Sequence, residues 1–237
     1  MIELAIVIVG VFIGTWVADW NQGRADKRSV QRLIEQLQPK LREVGQVAAD
    51  DQAYYAVVSR YAKIAQAGWA RDPAVTDQSF VIAAFQATEL SAFNDNPFSD
   101  GTYFSVGEVR KIDDPETRDR LMDVQSYASD LLDLMGEGSE YREKVRSIIP
   151  SDVQQQILAQ CGDQYSVKPR RYWLPGSCAA HIALPVAAST ASALRAHPEL
   201  VPALTSHMAH VTRHITSVGV YGMFLRRLDE RIDETRH

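Results

Sequence analysis

The feature that most constrains this chain is an uncharged apolar run close to its N-terminus. Residues Leu4–Ala18 read LAIVIVGVFIGTWVA, without a charged side chain. This run is 15 residues long, whereas a helix needs about 20 apolar residues to cross the hydrocarbon core of a bilayer. Ile2 and Trp20 extend it at its edges to near that minimum. We therefore predict a transmembrane anchor within residues 1–23 and an extramembrane domain over residues 24–237.

The side chains that we expect to face lipid are spread along the whole run. Trp16 and Trp20 would lie at one membrane interface as an aromatic belt. Gly10 and Gly14 form a GxxxG pattern, which lets two membrane helices approach closely, although small residues are also common in apolar segments. The predicted anchor residues are Leu4, Ile6, Ile8, Gly10, Phe12, Gly14, Trp16 and Trp20.

Two other interpretations of the N-terminal run remain open. A cleaved signal peptide needs a basic start and a small-residue cleavage site, but the chain begins Met-Ile-Glu and continues after the run with Asp-Trp-Asn-Gln. A helix buried in the core of a globular domain is the second alternative, because short apolar runs also occur in such cores. The absence of any charge over the run favours the anchor.

Orientation in the membrane depends on two features that disagree. Basic residues follow the run, at Arg24, Lys27, Arg28 and Arg32, and the positive-inside rule would keep that side in the cytoplasm. The chain has only two cysteines, Cys161 and Cys178, and a disulfide between them would persist outside the cytoplasm. Two unpaired thiols are the alternative. We expect the domain to be periplasmic, with the pair as a candidate disulfide.

The rest of the chain reads as helices. Apolar residues recur every three or four positions from residue 27 to 69, where Pro39 should kink or break the helix. Asp114-Pro115 starts another helix as N-cap and first residue. The last helix has a line of apolar residues at near-heptad spacing, which is typical of helical bundles. We call this line the seam, and its residues are Leu204, Met208, Val211, Ile215, Val218, Leu225, Leu228 and Ile232. We find no alternating pattern that indicates a sheet. The predicted fold class is all-α, with one N-terminal transmembrane helix continuing into a helical bundle.

Three histidines in the last helix form the most conspicuous chemical cluster. His207, His210 and His214 are separated by three and four residues and so share a helix face. Imidazoles in such an arrangement can bind transition metals, and His210 with His214 is the pair that one ion could bridge. Each histidine precedes a seam residue, so we expect the stripe to border the core without filling it. We predict no metal and no cofactor.

Several function classes are not supported by the sequence. The net charge of −5 gives no basic surface for nucleic acid. No HExxH, GxSxG, P-loop, GxGxxG or CxxC pattern is present, so no catalytic residue is predicted. The expected partners are the lipid bilayer and either another membrane protein or a second copy of the chain.

Two parts of the chain resemble a family of uncharacterised bacterial single-pass membrane proteins. The first is the apolar helix that runs into Asp19-Trp20-Asn21-Gln22-Gly23-Arg24, similar to the family's Trp-Asn-x-x-Arg ending. The second is Thr102-Tyr103 followed, after a small-residue turn, by a helix start from Lys111 to Arg118. The resemblance implies a helical extramembrane domain and no assigned activity. The basic residues that precede the helix in that family are missing here, so its orientation is not carried over.

These observations predict a non-enzymatic protein of the bacterial inner membrane. Its expected role is that of an accessory, scaffold or stabilising subunit of a membrane complex. The alternative is a periplasmic sensor or enzyme that binds a metal or ligand through His207, His210 and His214.

Overall fold

Helices make up most of the structure, a computed structural model that describes residues 2–91, 98, 104–135, 138–167 and 170–235. Side chains at positions 2–12, 106, 132–135, 167 and 170 lie outside this description. In chain order the elements are α1 (Ile2–Trp69), α2 (Asp77–Gln86), α3 (Val106–Val109), α4 (Pro115–Met135), α5 (Glu140–Ile148), α6 (Ser151–Cys161), β1 (Gln164–Val167), β2 (Arg170–Trp173), α7 (Leu184–Arg195) and α8 (Leu200–Thr235).

The longest element, α1, is one helix of 68 residues. The prediction that the N-terminal run continues directly into the following helix is confirmed. The predicted break at Pro39 is wrong, because the helix passes through it. Proline removes one backbone hydrogen bond, and side-chain contacts to α8 compensate on both sides of it. Leu37 and Leu41 are buried, the Gln38 amide donates to Asp233 at 2.6 Å, and Arg42 pairs with Asp229.

Two apolar cores lie along α1 and α8, which pass through both of them. One core contains residues 33–48 of α1, α4 and the C-terminal half of α8. The other contains residues 54–65 of α1, the N-terminal part of α8, and α2, α5, α6 and α7. Upstream of the first core, Lys111 and Asp26 form an ion pair at 2.9 Å. The bundle therefore starts near residue 26, and the exposed helix before it projects from one end.

Local signals explain most of the helix starts. The Asp114 carboxylate accepts the Thr117 N–H at 2.9 Å and caps α4, as the sequence predicts. Thr76 caps α2 and Ser139 caps α5 in the same way. Ser151, by contrast, is the first residue of α6 and gives no side-chain cap.

The prediction of a mostly helical fold is confirmed, and one short element departs from the all-α pattern. Strands β1 and β2 form an antiparallel hairpin, in which Tyr165 pairs with Tyr172 and Gln164 with Trp173. The segment showed no alternation because its members face different neighbours: Tyr172 stacks on Tyr54 of α1 with ring centroids 5.3 Å apart, while Tyr165 and Trp173 are exposed. The fold is mostly helical, with this hairpin packed on α1.

No helix in the part of the chain described with side chains is long and apolar enough to cross a membrane. Most of the predicted anchor run, up to Phe12, lies outside that part. Helix α1 covers the run, and residues 13–25 are exposed.

A close approach between α1 and α2 gives the first testable prediction. A Cβ added at Gly68 would lie 2.1 Å from the Phe80 ring, whereas at Gly45, also in α1, it would meet nothing within 4 Å. We expect Gly68→Ala to lower the free energy of unfolding by about 1–3 kcal/mol through overpacking. Gly45→Ala is the matched control and should raise it by up to about 1 kcal/mol through helix propensity. Urea denaturation of both variants measures the difference, and equal effects would contradict it.

Candidate functional site

The predicted anchor residues divide according to what the structure describes. The side chains of Leu4, Ile6, Ile8, Gly10 and Phe12 lie outside the described part.

The remaining anchor residues are at the surface of α1. Gly14 has open space around it, and Trp16 and Trp20 are 70% and 52% exposed. Indole rings of this exposure have no packing role inside the bundle. The guanidinium of Arg24 lies over the Trp20 ring, 3.9 Å from its centroid, which is a cation–π arrangement.

The two cysteines are joined in the structure. Cys161, at the end of α6, and Cys178, before α7, form a disulfide with their Cα atoms 5.3 Å apart. Cys161 is fully buried, and its carbonyl oxygen accepts a hydrogen bond from the Gln86 amide at 2.6 Å. The bridge thereby ties the chain on both sides of the hairpin to the core beside α2.

The three histidines of α8 divide into two buried residues and one at the surface. His207 and His214 are 5% and 6% exposed, whereas His210 is exposed. The expectation that the stripe only borders the core is therefore wrong for His207 and His214. These two positions belong to the buried seam, and the predicted seam residues Met208 and Ile215 are only partly buried. The other six predicted seam residues are buried, namely Leu204, Val211, Val218, Leu225, Leu228 and Ile232, so the seam is wider than predicted on the side of His207 and His214.

All three histidines line one pocket of about 210 Å³ between α1, α5 and α8. Tyr55 of α1 forms one wall, Ser139 and Tyr141 at the start of α5 form another, and Leu90 closes a third side. The α8 face that lines it is Ala203, Ser206, His207, His210, Val211 and His214. The pocket wall thus combines imidazoles and hydroxyl groups with apolar side chains.

His207 is fixed at both ring nitrogens. Its Nε2 lies 3.0 Å from the carbonyl oxygen of Ala87, so Nε2 carries the proton and donates. Nδ1 lies 2.9 Å from Ser139 Oγ and accepts the hydroxyl proton. Ser139 Oγ in turn accepts the Arg142 N–H as the cap of α5. This Ser–His pair contains the atoms of a nucleophile and a base, but both are used in holding α8 to α2 and α5.

His214 forms a second buried pair, with Asp51 of α1. Its Nε2 donates to Asp51 Oδ2 at 2.7 Å, and the two side chains are 7% and 1% exposed. The edge of the imidazole meets the Tyr55 ring, with centroids 4.6 Å apart. Asp51 Oδ1 is buried and has no hydrogen-bond partner among the described residues. No sequence pattern links Asp51 or Tyr55 to His214, because their distance from it depends on how α1 packs against α8.

Further charged groups lie close behind the pocket. Glu89 is buried, and burial raises the pKa of its carboxyl group while Arg146 opposes that shift. Arg146 Nη2 lies 2.8 Å from Glu89 Oε1. Burial also lowers the pKa of the half-buried Arg142, whose guanidinium donates to the Thr88 carbonyl oxygen. Burial raises the pKa of Tyr55 above its usual range, so its hydroxyl remains protonated.

The burial of His207 predicts a pH effect on stability. Burial lowers its pKa, so the folded state takes up a proton less readily than the unfolded state, whose histidine titrates near pH ~6.5. The contribution of neutral His207 to the free energy of unfolding is therefore complete above pH ~6.5 and is lost as the pH falls below that value. Relative to His207→Asn, the wild type should be more stable by about 1–2 kcal/mol at pH 7.5 and by less at pH 5.

Denaturation curves of the two proteins at both pH values test this. The raised pKa of Glu89 makes the folded state more stable as the pH falls, which opposes the effect of His207. Because Glu89 is present in both proteins, its effect cancels when their free energies of unfolding are subtracted. A stability difference that is constant or grows toward pH 5 would contradict the assignment.

No group of three His, Cys, Asp or Glu side chains in the described ranges is arranged to hold a metal ion. The sequence-based prediction of no bound metal or cofactor stays a prediction. Chemically, the pocket wall presents the hydroxyls of Tyr55 and Ser206 beside three imidazole rings, of which His207 uses both nitrogens and His214 uses Nε2 in bonds within the protein.

Comparison with known proteins returned no relative on which to base a function. No protein family model, no curated protein and no solved structure matches the chain.

Proposed function

We propose that the protein is a single-pass membrane protein whose helical domain, residues 24–237, is held outside the cytoplasm as a non-enzymatic accessory, scaffold or stabilising subunit. The observation that carries this proposal is the continuity of α1, which runs from Ile2 to Trp69 without interruption. The uncharged run Leu4–Ala18 is the first part of this helix. The same helix supplies buried residues to both cores of the bundle.

A continuous helix has a mechanical consequence for an anchored domain. At 1.5 Å per residue, α1 is about 100 Å long. Because α1 forms part of both cores, the bundle would be attached to its anchor without a flexible linker. Such a domain holds a fixed height and orientation relative to the membrane, which suits a scaffold that positions a partner. A flexible tether would be sufficient for a domain that only needs to stay near the membrane.

The disulfide supports a location outside the cytoplasm. Cys161 and Cys178 are bonded, and disulfides persist in oxidising compartments such as the bacterial periplasm. The basic residues after the run favour the opposite orientation. We give the disulfide more weight because the bridge is part of the folded core, while the basic residues are exposed and have a further interpretation given below.

Membrane fractionation tests the anchor. Full-length protein should remain in the membrane pellet after high-salt and alkaline washing, while a chain without residues 1–20 should be released as a folded domain. The deletion leaves both cores intact, because the first residue of α1 in either of them is Leu33. Full-length protein in the soluble fraction would overturn the proposal.

The scaffold role requires a partner in the membrane. Purification of the native protein in mild detergent, with identification of co-purifying proteins, should return a stoichiometric membrane protein or a second copy of the chain. The variant Lys63→Gln, an exposed change on α1, serves as a reference for non-specific loss. A protein that purifies as a monomer without any co-purifying protein would overturn the proposed scaffold role, but it would not affect the proposed membrane anchor.

One observation favours a second candidate function, a ligand-binding sensor. All three histidines line the pocket between α1, α5 and α8. This candidate predicts that a small polar molecule raises the melting temperature of the wild type. The same molecule should have no effect when Ala203, a lining residue, is replaced by a bulkier leucine that fills the space. Equal shifts in the two proteins would contradict it.

A further inference from the structure

Three arginines form a stripe on the exposed first part of α1. Arg24, Arg28 and Arg32 follow one another at intervals of four residues, so they lie on one face of the helix. All three are exposed. Trp20, one further interval toward the N-terminus, continues the same stripe. The stripe begins where the predicted anchor ends and is therefore at the junction of the membrane segment and the bundle.

Each of the three side chains lies back by one helical turn toward the N-terminus. The Arg24 guanidinium is over the Trp20 ring, 3.9 Å from its centroid. Arg28 Nε donates to the carbonyl oxygen of Arg24, and Arg32 Nε donates to that of Arg28, both at 3.3 Å. Side chains of a helix generally lean toward its N-terminus. Here this places all three positive charges about 6 Å closer to the anchor than their own Cα atoms.

The positive charge of the stripe is not neutralised within the described part of the chain. None of the three arginines forms an ion pair there. Two nearby carboxylates have other partners: Asp26 pairs with Lys111 at 2.9 Å, and Glu35 accepts from Gln31 at 3.0 Å. Asp19, beside Trp20, forms no ion pair with the stripe among the described residues. By contrast, Arg42, almost three turns beyond Arg32, pairs with Asp229 and Asp233. The arginines next to the anchor thus differ from the arginine inside the bundle.

We propose that the arginine stripe, Arg24, Arg28 and Arg32, binds the phosphate groups of anionic phospholipids in the leaflet from which α1 emerges. This inference rests on the membrane anchor proposed above. The guanidinium group matches phosphate through two parallel hydrogen bonds. Trp20 belongs at the membrane interface by its residue type and exposure.

The positions of the charges fit the dimensions of a bilayer. The polar layer on each side of the hydrocarbon core is about 5–8 Å thick. With Trp20 at the interface, the Arg24 guanidinium lies at the same level, and those of Arg28 and Arg32 lie about 6 and 12 Å above it. The first two reach headgroup phosphates directly. The third lies within about one screening length of the surface, which is about 8–10 Å at physiological salt.

Lipid is favoured over a soluble polyanion by the surroundings of the stripe. The chain as a whole is acidic, with a net charge of −5, so the positive region is local and confined to the base of the bundle. The direction of the side chains is toward the anchor and away from the domain. The stripe also gives the basic residues after the apolar run a role that is the same in either leaflet.

Energy transfer from tryptophan to labelled lipid tests the proposal on the full-length chain. The protein is reconstituted in phosphatidylcholine vesicles that contain a small amount of dansyl-labelled phosphatidylglycerol or, in parallel, dansyl-labelled phosphatidylcholine. We expect transfer to the anionic probe to exceed transfer to the neutral probe by about threefold or more at low salt, since each arginine near the surface contributes up to a fivefold preference. Raising the NaCl concentration to 0.5 M should remove most of the excess.

The variant Arg28→Gln/Arg32→Gln should lose most of this preference. It keeps Arg24, so the environment of Trp20 is unchanged. The control Lys63→Gln/Arg71→Gln removes the same charge from two exposed residues, one near the far end of α1 and one in the turn just after it, and should behave like the wild type. Equal preference in the wild type and the stripe variant would overturn the proposal, as would an equal loss in the control. Loss of the preference in 10 mM inorganic phosphate at constant ionic strength would also overturn it, because the site would then be one for free anions.

Alkaline washing of the same vesicles separates this proposal from the anchor. Wild type and stripe variant should both resist the wash if the anchor is present. Release of the wild type would overturn the anchor itself, whereas full retention without an anionic-lipid preference would overturn only the arginine stripe. If the arginines proved necessary for co-purification of a protein, with no effect on lipid preference, the stripe would be a protein-binding surface and the lipid proposal would be wrong.

Discussion

Replacement of Asp51 by alanine is expected to lower the free energy of unfolding by about 3 kcal/mol. The Asp51 carboxylate accepts the Nε2–H of His214 at 2.7 Å, and both side chains are almost completely buried. Removing the acceptor leaves a buried imidazole donor without a partner, and that loss exceeds the value of the hydrogen bond itself. Urea denaturation at neutral pH, monitored by tryptophan fluorescence, measures the change.

A double-mutant cycle distinguishes the pair from simple loss of packing. Asp51→Ala and His214→Ala should each lower the free energy of unfolding, and the double variant should lower it by less than the sum of the two single effects. Asp51→Ala within about 0.5 kcal/mol of the wild type would contradict the pairing.

The same pair changes an expectation that follows from the sequence alone. If the three histidines only bordered the core, replacing His210 and His214 by glutamine would have little effect on stability. With His214 in the core, His214→Gln is expected to destabilise the domain by about 1–3 kcal/mol. His210→Gln, at the surface, should remain within about 0.5 kcal/mol of the wild type. The two single variants serve as each other's control.

The sequence predicted the helices well where the signal was local. Asp114 and Pro115 mark the start of α4 through capping and proline geometry, which involve only neighbouring residues. The apolar spacing of α1 identifies the same buried positions that the bundle uses, including Leu37 and Leu41. These features depend on helix periodicity, and periodicity is visible in one chain without knowledge of its partners.

Predictions that needed tertiary contacts were wrong or absent. Pro39 breaks an isolated helix, but packing and side-chain bonds to α8 hold α1 together across it. The hairpin gave no alternation because Tyr172 packs on α1 while Trp173 is exposed. The predicted α8 seam places Met208 and Ile215 in the core, where the structure buries His207 and His214 more deeply, because the apolar pattern alone gives histidine no core position. His214 fits the core because the Asp51 carboxylate accepts its proton, and His207 fits because the Ala87 carbonyl oxygen and the Ser139 hydroxyl satisfy its two nitrogens.

Removal of the disulfide is the other change with a large expected effect. The double variant Cys161→Ser/Cys178→Ser should lower the free energy of unfolding by roughly 3 kcal/mol, because the bridge closes a loop between residues that are 17 positions apart. The loop contains the hairpin. Without the bridge, the unfolded chain is less restricted, so forming the contacts between the hairpin and α1 loses more conformational entropy. Cys161 is also completely buried, so a serine hydroxyl there adds a desolvation cost unless it finds a hydrogen-bond partner.

Reduction of the wild type gives the matched control, since it opens the bridge without introducing a hydroxyl. Reduced wild type should lose slightly less stability than the double variant, and the double variant should be insensitive to reductant. Alkylation of denatured, unreduced protein taken directly from cells should find no free thiol if the domain matures in an oxidising compartment. Full alkylation of both cysteines, together with equal stability of reduced and oxidised protein, would show that the native fold does not contain the disulfide. It would also leave the cytoplasmic orientation as the one that the basic residues after the apolar run favour.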